Sequence, residues 1–167
     1  MKYRIEKDKK GNSLNIIEVL KKKNLTLAVA ESCTGGLISN LITDIPGASD
    51  VFVFGAVTYS LSMKEKLLEV SEKFLNENGP YNFETVSSMA EGIRDYSNAD
   101  VSLATSGVAG PFDDIDTEAG TCYFAVCISG KIYTKKITTG LNERLKNKKI
   151  FAEKAIEFLM FCLEKSI

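Results

Sequence analysis

The chain has 167 residues, 21 basic and 22 acidic side chains, a net charge of -1, four cysteines and no histidine. Without histidine there is no Ser-His-Asp or Cys-His triad and no Cys/His zinc site, so proton transfer falls to lysine, tyrosine, carboxylate, thiol or water. The balanced charge makes no broad basic field for nucleic acid. A hydrophobic content of 44% with 26% charged residues fits a soluble domain, in which a chain of this size buries roughly 70% of its unfolded surface.

Residues 1–11 are charged and predict a loosely packed start without the apolar core of a signal peptide. Ser13 is positioned to cap a helix over residues 14–23, and an apolar strand follows at 25–30. The polar turn Glu31-Ser32-Cys33-Thr34-Gly35-Gly36 then leads into a helix at 37–42, the strand-turn-helix order that presents functional groups at the carboxyl end of a strand. After a loop at 43–50, residues 51–59 have the β-branched and aromatic content of a buried strand. Ser62 with Glu65 reads as a capping box for a helix over 63–70, residues 71–78 as a further short helix, and residues 85–96 as an amphipathic helix. A short strand at 101–104 ends in a second small-residue turn, Thr105-Ser106-Gly107-Val108-Ala109-Gly110-Pro111, followed by an acidic loop through Glu118. Residues 121–128 and 132–138, joined at Ser129-Gly130-Lys131, predict a β-hairpin, and a final helix starts near Asn142. The sum is one α/β domain over residues 1–167 with a mixed sheet.

The basic runs at residues 21–23 and 146–149 read as solvated helix faces. Cys33, Cys122, Cys127 and Cys162 form no CxxC pair; Cys122 and Cys127 fall in or beside an apolar run, as buried small hydrophobes do. No apolar run approaches the length of a membrane span, and the cysteine usage points to a reducing cytoplasm.

Two small, hydroxyl-rich turns at the ends of neighbouring strands create the crevice in which open α/β sheets bind ligands. The N-terminus of the helix after Gly36 offers N–H groups to an anion. Ser32 is a candidate nucleophile that needs a base, and Lys64, with Tyr59, stands where a strand gives way to a helix. A desolvated lysine can take that role; an exposed lysine on the helix surface is the competing interpretation.

These segments, from residues 28–36 through 43–49, 57–60 with Lys64, and 104–111, resemble the CinA carboxyl-terminal domain family in order and spacing over roughly residues 13–165. The resemblance is to its stand-alone form. It implies a three-layer α/β/α sandwich with a mixed, mostly parallel five-stranded sheet. It also implies an amidohydrolase that converts nicotinamide mononucleotide and water to nicotinic acid mononucleotide and ammonia without metal or cofactor, acting on a small-molecule nucleotide as a homodimer or other homo-oligomer. Ser32 matches the family's catalytic serine, with Tyr59 and Lys64 its partners, and backbone N–H groups of Cys33, Thr34, Gly35 and Gly36 would hold an oxyanion. Thr105, beside Ser106 and Gly107, matches the second loop, and Glu31 begins the first.

The chain departs from the family after Pro111. Four carboxylates, Asp113, Asp114, Asp116 and Glu118, occupy a loop that is elsewhere Gly-rich and partly basic, and they would repel a phosphate if they faced the pocket. Leu61 replaces a usual asparagine. The arginine expected before the last helix is displaced to Arg144, where it could still reach a phosphate. These departures leave two alternatives: a catalytically silent or substrate-shifted nucleotide-binding member, or an amidase for a non-phosphorylated amide.

Overall fold

The computed structural model describes residues 6–7, 13–114 and 116–166, so the loosely packed start expected over residues 1–11 lies almost wholly outside the described residues. Two short strands, β1 (Glu6–Lys7) and β2 (Ser13–Leu14), pair antiparallel ahead of helix α1 (Ile16–Lys23). Asn15, not Ser13, caps α1. Its side-chain oxygen accepts from the Glu18 amide while the Glu18 carboxylate accepts from the Asn15 amide, a reciprocal box that fixes the start of the helix.

The main sheet contains β3 (Leu27–Glu31), β4 (Phe52–Val57), β5 (Val101–Val108), β6 (Thr121–Ile128) and β7 (Lys131–Thr138), in the spatial order β4-β3-β5-β6-β7. The β3 strand is parallel to both neighbours, whereas β6 runs antiparallel to β5 and β7. Alternation along the strands divides the core into two faces. Leu27, Val29, Leu103, Phe124 and Val126 pack with α1, α2 (Leu37–Thr43) and α6 (Arg144–Lys165). Ala28, Ala30, Ala104 and Ala125 pack under α5 (Phe83–Ser97), with Leu68 of α3 (Leu61–Leu68) and Leu75 of α4 (Glu72–Asn78). This is the expected mixed five-stranded α/β architecture.

Small residues on the second face let α5 lie close to the strands: the Ser102 hydroxyl donates to the Ala90 carbonyl of α5 at 2.5 Å. On the other side of α5, Gly92 abuts the Leu68 backbone with no room for a Cβ. Gly92→Ala is expected to destabilise the protein by roughly 3 kcal/mol through backbone displacement, seen as a lower urea midpoint at unchanged slope.

Several local expectations shift, each for a packing or pairing reason. Because β4 ends the sheet it is half-exposed rather than buried, with Val53 and Val57 facing outward. Ser60, not Ser62, caps α3 by accepting from the Met63 amide at 3.3 Å, so the helix starts at Leu61. The β5 strand continues to Val108 instead of ending at Ala104, since β6 pairs with it all the way from Val101↔Ile128 to Val108↔Thr121. Thr105, Ser106 and Gly107 are therefore strand residues, and the turn moves to Ala109-Gly110-Pro111. Ser129 and Gly130 both have positive φ, 50° and 79°, as a two-residue hairpin turn requires, so β7 begins at Lys131.

Candidate active site

Parallel register builds the centre of the site. Glu31 of β3 lies opposite Val57 of β4, so Ser32 and Thr58, the next residue of each chain segment, emerge side by side at the carboxyl ends of the strands. The Ser32 amide donates to the Thr105 carbonyl and the Thr58 amide to the Glu31 carbonyl, extending the sheet's pattern just past its edge. The chain then turns through Ser60 into α3, which aims Lys64 back at this point.

Lys64 is 1% exposed, which excludes the surface-lysine alternative. Its Nζ donates to Ser32 Oγ at 3.1 Å, to the Thr58 carbonyl at 2.8 Å and to the Tyr59 carbonyl at 3.3 Å. Burial disfavours the ammonium and lowers the Lys64 pKa to about 8, opposed by the nearby Cys33. Among the described residues no carboxylate side chain bonds to Lys64 Nζ, and desolvation prevails. A neutral Lys64 can keep two N–H bonds to the carbonyls and turn its lone pair to the Ser32 hydroxyl.

The α2 N-terminus does not offer its N–H groups to a ligand, because Glu31 already occupies it. This buried carboxylate accepts from the Gly36 amide at 2.9 Å and the Ile38 amide at 3.1 Å through one oxygen, and through the other from the Ser39 amide at 2.8 Å and hydroxyl at 2.7 Å. Glu31 thus anchors the turn from behind, and Gly36 is engaged by it. Thr34 and Thr105 are fully buried and share a hydroxyl contact at 3.1 Å, tying the turn to β5. Gly35 packs under the Lys148 side chain. Ser106 is also buried and donates to the Pro80 carbonyl at 2.7 Å.

A cleft of about 170 Å³ opens in front of Ser32, lined also by Cys33, Tyr59, Gly107 and Arg144 among the residues singled out from sequence. Glu31, Thr34, Gly35, Gly36, Thr105 and Ser106 support its walls from outside. Tyr59 is 60% exposed, and its hydroxyl accepts from Arg144 Nη2 at 2.8 Å; only its backbone carbonyl meets Lys64. Arg144 Nη1 donates to the Gly110 carbonyl at 2.8 Å, so the displaced arginine does reach the cleft.

Asn147, inside the run read as a solvated basic face, is buried. It donates to the Ala109 and Leu141 carbonyls and accepts from the Thr139 hydroxyl, which clamps the 109–110 turn to α6 and sets Arg144 beside it.

Tyr81 and Phe112 complete the cleft, and sequence reasoning missed both. Tyr81 follows Asn78-Gly79-Pro80, which reads simply as the end of a helix. Burial and a hydrogen bond to Asp114 raise the Tyr81 phenol to about 12, so it stays protonated. Two carboxylates of the exposed acidic loop are engaged by the protein: Asp114 holds Tyr81, and Asp113 accepts from the Ala119 amide at 2.7 Å. Among the described residues, no group of three or more Cys, Asp or Glu is gathered as a metal site, and no helix is long and apolar enough to cross a membrane.

Known proteins place this arrangement in one family. The CinA C-terminal domain matches residues 10–163. A CinA-like protein of Pseudothermotoga lettingae is 46% identical over 117 residues, 70% of this chain and 28% of its own length; the chain thus spans less than a third of that relative. A second, from Desulforapulum autotrophicum, is 39% identical over 83% of the chain and 33% of its own length. Among solved structures, a CinA superfamily protein from Escherichia coli superposes with a TM-score of 0.83 at 30% identity, covering 86% of this chain and 83% of that one. The competence damage-inducible protein A of Klebsiella pneumoniae gives 0.87 at 28% identity, covering 90% and 93%. With the family model matching residues 10–163, the chain belongs to the CinA C-terminal domain family.

Proposed function

We propose that the protein is an amidohydrolase that releases ammonia from the carboxamide of nicotinamide mononucleotide or a close relative. The observation that carries this is the buried Lys64 Nζ 3.1 Å from Ser32 Oγ, with its pKa lowered to about 8. In the proposed sequence Ser32 Oγ attacks the carboxamide carbon as Lys64 accepts the hydroxyl proton. The amide of Cys33, a lining residue of the cleft with no protein acceptor for its N–H among the described residues, is assigned to the oxyanion. Lys64 then returns the proton to the leaving nitrogen as the C–N bond breaks. Water attacks the acyl-Ser32 ester, losing its proton to Lys64; the ester C–O bond then breaks, Lys64 returns that proton to Ser32 Oγ, and the carboxylic acid leaves.

Tyr59 takes a different part from the proton relay implied by resemblance. Its phenol bonds Arg144, and Lys64 already contacts Ser32 directly, so Tyr59 is assigned to the substrate-binding wall. A mononucleotide is favoured over a neutral amide because Arg144 stands at the cleft, held by the Gly110 carbonyl and the Tyr59 hydroxyl, and Lys148 lies one helical turn further along, over Gly35. Asp114, bonded to the cleft-lining Tyr81, keeps one carboxylate at the rim of the cleft, so the preference rests on Arg144 and Lys148 outweighing it.

The test is ammonia release from nicotinamide mononucleotide and from nicotinamide riboside. Turnover of the mononucleotide is expected, with KM raised about tenfold by Arg144→Ala while turnover of the riboside changes little. No release from either compound would overturn the proposal. Release from the riboside alone would replace it with an amidase for non-phosphorylated amides.

A further inference from the structure

One pair of side chains next to Ser32 has no part in the proposed hydrolysis. Cys33 and Cys122 come from segments 89 positions apart, yet their sulfurs lie 3.4 Å from each other in a buried contact. They differ in access and in mobility. Cys33 is a lining residue of the cleft and keeps 4% exposure, whereas Cys122 is completely buried. Cys122 sits in β6, an interior strand, where it lies opposite Gly107 of β5 and Ile137 of β7. Gly107 admits the close approach of β6, since a Cβ there would collide with the Thr121 carbonyl oxygen and the Cys122 Cα. The remaining cysteines have no comparable neighbour: Cys127 accepts from Arg94 Nη1, and Cys162 lies on α6.

We propose that Cys33 and Cys122 form an oxidisable thiol pair, a covalent modification site in which a hydroperoxide entering the cleft converts the two thiols to a disulfide. The Cys33 sulfur attacks the peroxide oxygen, giving the sulfenic acid and an alcohol or water. The Cys122 thiol then displaces hydroxide from that sulfur, forming the S–S bond and releasing water. The thiols lose two electrons and two hydrogens, and the peroxide O–O bond is reduced.

A disulfide is about 2.05 Å long, so the sulfurs must close by more than 1 Å from their present 3.4 Å. The central β6 strand resists that movement. The turn carrying Cys33 must therefore supply it, and that turn also carries Ser32, whose hydroxyl must stay within reach of Lys64. Oxidation would accordingly separate the nucleophile from its base, and reduction would restore the contact. The thiol chemistry stands without the amidase proposal; only its effect on catalysis rests on it.

The experiment treats the full chain with hydrogen peroxide, blocks remaining thiols under denaturing conditions, and maps the peptides by mass spectrometry without reduction. The expected result is a Cys33–Cys122 cross-linked peptide that dithiothreitol abolishes, with Cys127 and Cys162 still alkylated. Ammonia release should fall at least tenfold in step with the cross-link and recover on reduction, while Cys122→Ala keeps its basal rate and gains no dithiothreitol-reversible inhibition. All four cysteines remaining alkylated, or oxidation stopping at Cys33 sulfinic acid with Cys122 free, would overturn the proposal, whatever the protein's activity. A cross-link that leaves an active enzyme unimpaired would overturn the coupling to Ser32.

Discussion

Replacing Ser32 by Ala or Lys64 by Ala is expected to lower kcat for ammonia release by about 10³-fold or more, with the two losses far from additive in the double variant. In the proposed mechanism the two side chains form one proton-transfer unit: without Lys64 the serine hydroxyl has no base, and without Ser32 the lysine has no nucleophile to activate. Lys64→Arg should not rescue, because a guanidinium remains protonated at any accessible pH. The pH dependence has a definite sign. The working form of Lys64 is neutral, so kcat/KM should rise with pH and level off above about 8, where burial has placed its pKa. That limb should disappear from the residual activity of Lys64→Ala. Turnover undiminished in both single variants would remove the Ser32–Lys64 mechanism while leaving the amidase activity to another group.

The second large effect is structural and concerns Glu31. Glu31→Gln is expected to destabilise the fold by roughly 3 kcal/mol, measured by urea unfolding. The carboxylate receives four hydrogen bonds, three from backbone amides around the start of α2 and one from the Ser39 hydroxyl. A carboxamide keeps the shape but sets an NH₂ donor against N–H donors at one of the two oxygen positions, leaving buried amides unpaired. Since Glu31 adjoins Ser32 and fixes the far side of its turn, activity should fall even at temperatures where the variant is fully folded. A loss below 0.5 kcal/mol would mean that water satisfies the α2 amides as well as Glu31 does.

The same residue marks how far sequence reaches. The strand-turn-helix order around Glu31 is plain from its apolar run and glycines, but a carboxylate in that turn can serve a ligand or the protein's own helix. Only the packed structure, which removes Glu31 from water and closes four donors around it, separates the two. Strand ends were less legible for a related reason. Thr105, Ser106 and Gly107 have turn-forming chemistry, and a long-range ladder with β6 overrides it. Tyr81 carried no local signal, because its place in the cleft depends on Asp114 from a loop more than 30 positions away.

The amino-acid sequence by itself determined the class of fold, the order of its elements, the exclusion of imidazole chemistry, and the nomination of Ser32 and Lys64. Hydrophobic period, turn chemistry and composition are local properties, and they can be read along the chain. Tertiary structure alone decided that Lys64 is buried, which lowers the pKa of a residue type common at surfaces to about 8. It also decided that Tyr59 faces Arg144, and that Cys33 meets Cys122. Desolvation and contact between distant segments arise from the register of parallel strands, here Glu31 opposite Val57, and no short stretch of sequence encodes that register.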